Sequence, residues 1–186
     1  MSDTSFTANF DGQAQFKGII STIRDRCGGN PCDKDEIEII APTETHPEYP
    51  LRNLVEFTDL LDKCYWNFAC YDPKDDENWL IFDFHENHKV SLNGYTIRSG
   101  GSSHPKGWRI EGSNDRENWT LIHEVENCNT LNAPRKTQTF QIEGGEVAPV
   151  RYIKYVQTQN QSPKPERKYR INLKAIEFFG QYITCA

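Results

Sequence analysis

Apolar residues recur along this chain at two periods. From Ala14 to Arg26, Phe16, Ile19, Ile20 and Ile23 fall at offsets of three, four and seven, the spacing of a helix that buries one face. Gly28-Gly29-Asn30-Pro31 stops it, because glycine serves as a C-terminal cap and proline cannot continue a helix. From there the period drops to two. Glu36-Ile37-Glu38-Ile39 alternates, as do Leu80, Phe82 and Phe84 within Trp79–Phe84, and both segments are predicted to be strands. Shorter alternating runs follow at Val90–Leu92, Tyr95–Ile97, Trp108–Ile110, Leu121–Val125, Thr139–Ile142, Arg151–Gln157 and Ile171–Phe179. Turn signals separate them: Asn93-Gly94, Gly100-Gly101, Ser113-Asn114-Asp115, Gly144-Gly145 and the Pro163–Pro165 loop. Many short strands behind one helix predict an antiparallel sandwich or jelly roll.

Composition supports a folded core: hydrophobic residues are only 36% of 186, but 4 Trp, 8 Tyr and 10 Phe are too many aromatics for a disordered chain. The net charge of −6 argues against nucleic acid bound through a general electrostatic field, since phosphate contacts need clustered Lys and Arg. No stretch reaches the ~18 apolar residues of a membrane span, and Met1–Asn9 lacks the pattern of a secretory signal. The expectation is a soluble, cytoplasmic protein. On that expectation the six cysteines, Cys27, Cys32, Cys64, Cys70, Cys128 and Cys185, are free thiols. The sequons at Asn118 and Asn160 would carry glycan only on a secretory route.

Catalytic patterns are missing. Gly100-Gly101-Ser102-Ser103-His104 does not match a nucleophile elbow, and Gly28-Gly29-Asn30 lacks the phosphate-cradling motifs. The spacings of Cys27 to Cys32, Cys64 to Cys70 and His85 to His88 do not match zinc-binding pairs. Asp72–Glu77 is acidic without calcium-loop spacing, and Lys164–Arg170, the most basic stretch, reads as a solvated loop. No nucleophile and base are paired, so no enzyme is expected.

Three segments in series, Trp79–Phe84, Val90–Ser99 and Gly107–Trp119, with the close Ile176-Glu177-Phe178-Phe179-Gly180, resemble the discoidin family, also called coagulation-factor type C domains, over about Ile37 to Gln181. The resemblance implies an all-β, discoidin-like antiparallel β-sandwich (jelly roll) with a short N-terminal helix. Residues 1–35 would form the N-terminal extension and helix, 36–182 the domain and 183–186 a C-terminal tail. Trp79, Trp108 and Trp119 are expected in the core. The front section also resembles intracellular, BTB-associated members of single-celled eukaryotes. The implied function is a non-enzymatic module that binds protein partners in a cytoskeletal, ciliary or adaptor assembly; the alternative is a lectin-like domain that binds carbohydrate. Family members bind through loops at one end of the sandwich, which map here to Lys63, Tyr65, Arg98, His104 and Arg109. Some hold a structural calcium, which maps to Asp59 and Glu177 without a full ligand set; no other cofactor is implied.

Overall fold

A computed structural model describes residues 4–43, 49–57, 78–144 and 147–185, and the backbone of 68–70. Its elements run β1 (Phe6–Ala8), α1 (Ile19–Cys27), β2 (Glu38–Ile40), β3 (Phe68–Cys70), β4 (Trp79–Asp83), β5 (His88–Ser99), β6 (Pro105–Ser113), β7 (Thr120–Val125), β8 (Thr137–Gln141), β9 (Tyr152–Asn160) and β10 (Ile171–Thr184). Two antiparallel sheets face one another. One has the order β1-β10-β5-β8, with β3 also pairing with β10; the other has the order β2-β4-β9-β6-β7. No helix among the described residues is long and apolar enough to cross a membrane.

Alternation along each strand decides what enters the core. In the second sheet Leu80, Tyr155 and Ile110 are in register and wholly buried, while their neighbours Trp79, Val156 and Arg109 share the opposite face. The first sheet contributes Tyr95, Ile97, Phe178 and Tyr182. Phe82 and Phe178 meet edge to face across the core at 5.2 Å, a favoured aromatic geometry. Of the three tryptophans expected inside, only Trp108 is there. Trp79 and Trp119 are half-buried on the outer face, with the Lys154 ammonium 5.7 and 4.8 Å from their rings. Trp79 precedes the inward Leu80, so the two-residue period sends it out.

Three local expectations change. Asn93-Gly94, read as a turn, lies inside the continuous β5. The pairing slips there, from Phe179 opposite Gly94 to Gly180 opposite Leu92, which leaves Asn93 as the extra residue of a bulge. The helix begins at Ile19 rather than Ala14. Phe16 is not on it and packs instead against Phe57, ring centroids 5.0 Å apart. Gly28, at φ 72, caps the helix as expected, its N–H donating to the Arg24 carbonyl. The short strands β1 and β3 had no alternating pattern long enough to announce them.

Beside the core, Asp83 and Arg151 form a two-pronged ion pair at 2.8 and 2.9 Å. Burial pushes the Asp83 carboxyl up, but Arg151 and the His85 N–H outweigh it and hold the group below the usual carboxylate range. Cys27, Cys32, Cys128 and Cys185 are free thiols, and burial pushes Cys32 up to about 12; the Cys64 and Cys70 side chains lie outside the described residues.

Candidate functional site

Strand direction brings three connections to one end of the sandwich: 100–104 between β5 and β6, 126–136 between β7 and β8, and 161–170 between β9 and β10. Backbone hydrogen bonds tie them together. The Gly100 N–H donates to Asn172 O at 3.0 Å, Arg135 N–H to Ser99 O at 3.2 Å, Cys128 N–H to Lys106 O at 2.7 Å, and Gln161 N–H to His104 O at 2.8 Å. The Gln161 amide reaches Cys128 O at 2.8 Å. The Asn160 amide donates to the carbonyls of Arg167, Lys168 and Arg170 at 2.7, 3.1 and 3.2 Å, drawing that loop's backbone inward. Gly100 must be glycine because a Cβ there would overlap the Asn172 side chain. The result is a set of loops held by the scaffold, the usual setting for a binding surface.

Within this end Ser103 Oγ, His104 Nε2 and Asn172 Oδ1 are buried and have no hydrogen-bond partner among the described residues. Asn172 is wholly buried, and Ser103 sits at φ 48. Buried polar groups are nearly always paired, so these atoms, on adjoining segments, set this end apart from the rest of the described residues. Sequence reading singled out His104 but missed Ser103 and Asn172, because neither residue type signals burial; only the Gly100-Gly101 turn beside them was a sign.

The other expected site residues do not join it. Arg98 lies on the outer face of the first sheet, its Nε donating to Thr137 Oγ1 at 2.9 Å and its guanidinium 5.0 Å from the Phe16 ring. Arg109 sits in the middle of β6, not at a strand end, and pairs with Glu111 at 3.2 Å on the outer face of the second sheet. Both arginines occupy the outward phase of their strands, so they face away from each other across the sandwich. Lys63, Tyr65 and Asp59 lie outside the described residues.

Glu177 is wholly buried, and both of its oxygens are engaged by backbone. Oε2 accepts from Gly18 and Ser21 at 3.1 and 3.0 Å, and Oε1 from Ile20 and its neighbour Phe178, both at 2.8 Å. It therefore caps the N-terminus of α1, whose own N-cap residue, Gly18, has no side chain to do so. With four donors on two oxygens it has no capacity left for the calcium expected of it. No group of three or more His, Cys, Asp or Glu suited to a metal occurs among the described residues.

Two histidines give the domain a pH dependence. Burial lowers His104 below the ordinary imidazole range, with Asn132 and the Gly100 backbone acting the other way. Burial likewise lowers His123, against the pull of Glu143. His123 Nδ1 is 2.8 Å from Tyr95 OH, which accepts from Trp108 Nε1–H at 2.9 Å; the phenol proton thus goes to an unprotonated Nδ1. The folded state binds these protons less readily than the unfolded chain, whose histidines titrate near ~6.5. Stability is expected to be full above about pH 6.5 and to fall as pH drops below it. Thermal midpoints from about pH 5 to 8 check this, and His123→Gln should flatten the slope; a midpoint independent of pH over that window would contradict it.

The F5/8 type C domain family matches residues 38–170. Among solved structures, the chain is similar to a family 89 glycoside hydrolase from Clostridium perfringens in complex with GlcNAc-α-1,4-galactose, at TM-score 0.56 and 16% identity, covering 81% of this chain and 15% of that one. It is also similar to the CBM32-3 module of a family 31 glycoside hydrolase from the same organism, at TM-score 0.56 and 18% identity, covering 78% and 92%. A third is the chitosan-binding module 1 from a Paenibacillus chitosanase/glucanase, at TM-score 0.54 and 11% identity, covering 78% and 96%. The chain thus spans nearly the full length of the isolated modules but about one seventh of the hydrolase. No curated protein matches it. These identities establish a shared sandwich, while the family match covers most of the chain, from β2 through β9 and the three connections of the loop end: the chain belongs to the F5/8 type C, or discoidin, domain family.

Proposed function

We propose that this chain is a non-catalytic carbohydrate-binding module that takes its ligand at the end of the sandwich formed by the 100–104, 126–136 and 161–170 connections. The observation that carries the reading is that His104 Nε2, Ser103 Oγ and Asn172 Oδ1, on adjoining segments of that end, are buried without hydrogen-bond partners among the described residues. Sugar hydroxyls both donate and accept, so a saccharide seated on the 100–104 loop can pair with the imidazole of His104, while the wholly buried Asn172 supports that loop from beneath. The similar modules, described as chitosan-binding or as carrying the CBM32 label, support this reading over that of a subunit in a protein assembly.

His104→Ala removes one of these partners from a loop whose backbone bonds it leaves in place. Affinity for mono- and oligosaccharides measured by calorimetry should fall at least about tenfold, the loss of roughly one hydrogen bond to a buried group, with little change in melting temperature. Retention of full affinity by a folded His104→Ala would place the site elsewhere, and absence of binding to a broad glycan panel would reject the function.

A further inference from the structure

At the opposite end of the sandwich, the turn between β6 and β7, the start of β7 and residues 142–144, 147 and 148 bound a crevice of about 490 Å³. Its walls are aliphatic, formed by Ile122, Ile142, Val147 and Val150. Two features of the strands put these side chains there. The pairing of β6 with β7 slips from Ile110 opposite His123 to Glu111 opposite Leu121, which leaves Ile122 as the extra residue of a bulge. A Cβ at Gly112 would come within 2.9 Å of Ile122 Cδ1 and 3.0 Å of Val150 Cγ2, so the missing side chain is what lets both residues approach β6. Backbone fixes the walls. Val90 and Val150 exchange N–H···O bonds at 2.8 and 2.9 Å, and the Ile142 N–H donates to Asn93 O at 3.0 Å. Across the crevice the Arg151 N–H donates to Asn114 Oδ1 at 3.2 Å.

The mouth has the opposite character. Asp115 and Glu143 are the charged residues of the lining, both exposed, and no Lys or Arg lines it among the described residues. Arg116, next to Asp115, sits instead over the Tyr152 ring at 5.8 Å. An aliphatic hollow with negative charge at its rim is complementary to an apolar group carried beside a cation. The crevice also adjoins a strand edge. β7 is the last strand of its sheet, so one side of its backbone has no ladder partner among the described residues, and Leu121 on it is 53% exposed. An extended segment can pair with such an edge while its alternate side chains enter the adjoining hollow.

We infer that this crevice and the open side of β7 dock an extended segment of a partner protein, with an aliphatic side chain in the hollow between Ile122 and Ile142 and a Lys or Arg beside it at Asp115 and Glu143. The surface lies at the other end from the 100–104 loop, so a partner held here leaves that loop free for a saccharide, and the inference stands independently of the carbohydrate reading.

Titration of the full chain with the end-capped peptide Gly-Val-Lys-Val-Lys-Val-Gly, followed by calorimetry and by backbone amide shifts, tests this. The peptide should bind about tenfold or more tightly than the same peptide with Glu in place of Lys or with Ser in place of Val, and should shift the amides of Thr120–His123, Ile142 and Val150. Glu143→Lys, a change at an exposed position, should abolish the preference over the Glu peptide, and Leu121→Ser should weaken binding with little change in melting temperature. His104→Ala, at the other end, should leave peptide binding as it is. Equal binding of the three peptides, shifts confined to the loop end, or no binding of any of them would overturn the inference. So would n-hexylamine binding as tightly as the peptide, which would assign the crevice to a small amine, or dimerisation of the chain through the same amides, which would assign it to a second copy.

Discussion

Replacing Glu177 with Gln is expected to cost about 3 kcal/mol of stability and to loosen α1 from the sandwich. The carboxylate is wholly buried on β10 and takes four backbone N–H groups on two oxygens. Burial pushes this carboxyl up, and the N–H groups of Ser21, Phe178 and Ile20 oppose the rise. Its negative charge also faces the positive end of the helix. A glutamine has one acceptor oxygen, and its amide would point N–H donors at two N–H donors, so two backbone groups would lose their partner in a place water does not reach. Denaturant unfolding measures the loss, with the exposed Glu117→Gln as a control that should change stability by less than ~0.5 kcal/mol. If Glu177→Gln matched the control, the capping account of this residue would be wrong.

Gly180→Ala is expected to destabilise the protein by about 2 to 4 kcal/mol, far more than the same change at Gly12. Both glycines have positive φ, 137° and 88°, so both substitutions carry backbone strain. A Cβ at Gly12 meets nothing within 4 Å, whereas at Gly180 it would overlap the Ser91 carbonyl and crowd Asn93 N at 3.1 Å. Gly180 is where the β10 and β5 pairing slips around the Asn93 bulge, and these are the long strands of the first sheet. The difference between the two variants, read from unfolding midpoints, isolates the steric contribution from the conformational one. Equal losses would mean that the strands part locally to admit the methyl group.

Much of the fold was legible because half-buried strands write their burial as a two-residue period. Leu80 and Phe82, or Trp108 and Ile110, announce an inward face without any knowledge of the partner strand. The family resemblance rested on the same segments, and both led to the sandwich. What misled was local punctuation. Asn93-Gly94 is a strong hairpin signal, but β10 offers a longer ladder on both sides of it, so the chain bulges instead of turning. Phe16 continued the helical spacing of Ile19 and Ile23, yet the non-helical backbone of Gly18 breaks the helix after it and Phe57 supplies a better place to bury the ring.

The site was less legible. Of the described residues proposed for ligand contact, His104 reached the loop end while Arg98 and Arg109 went to opposite outer faces, since strand phase and not nearness to a loop decides where a side chain emerges. Ser103 and Asn172 carry no sequence signature.

By itself, then, the sequence determined the sandwich, the segments that build it and the type of each exposed residue, because these depend on periodicity and composition within a few neighbours. Tertiary structure alone decided that Glu177 caps a helix 156 or more residues away and that Asn172 is buried beneath the 100–104 loop. Each of those depends on which strands lie side by side and in which direction they run, a matter of long-range packing that no local pattern encodes.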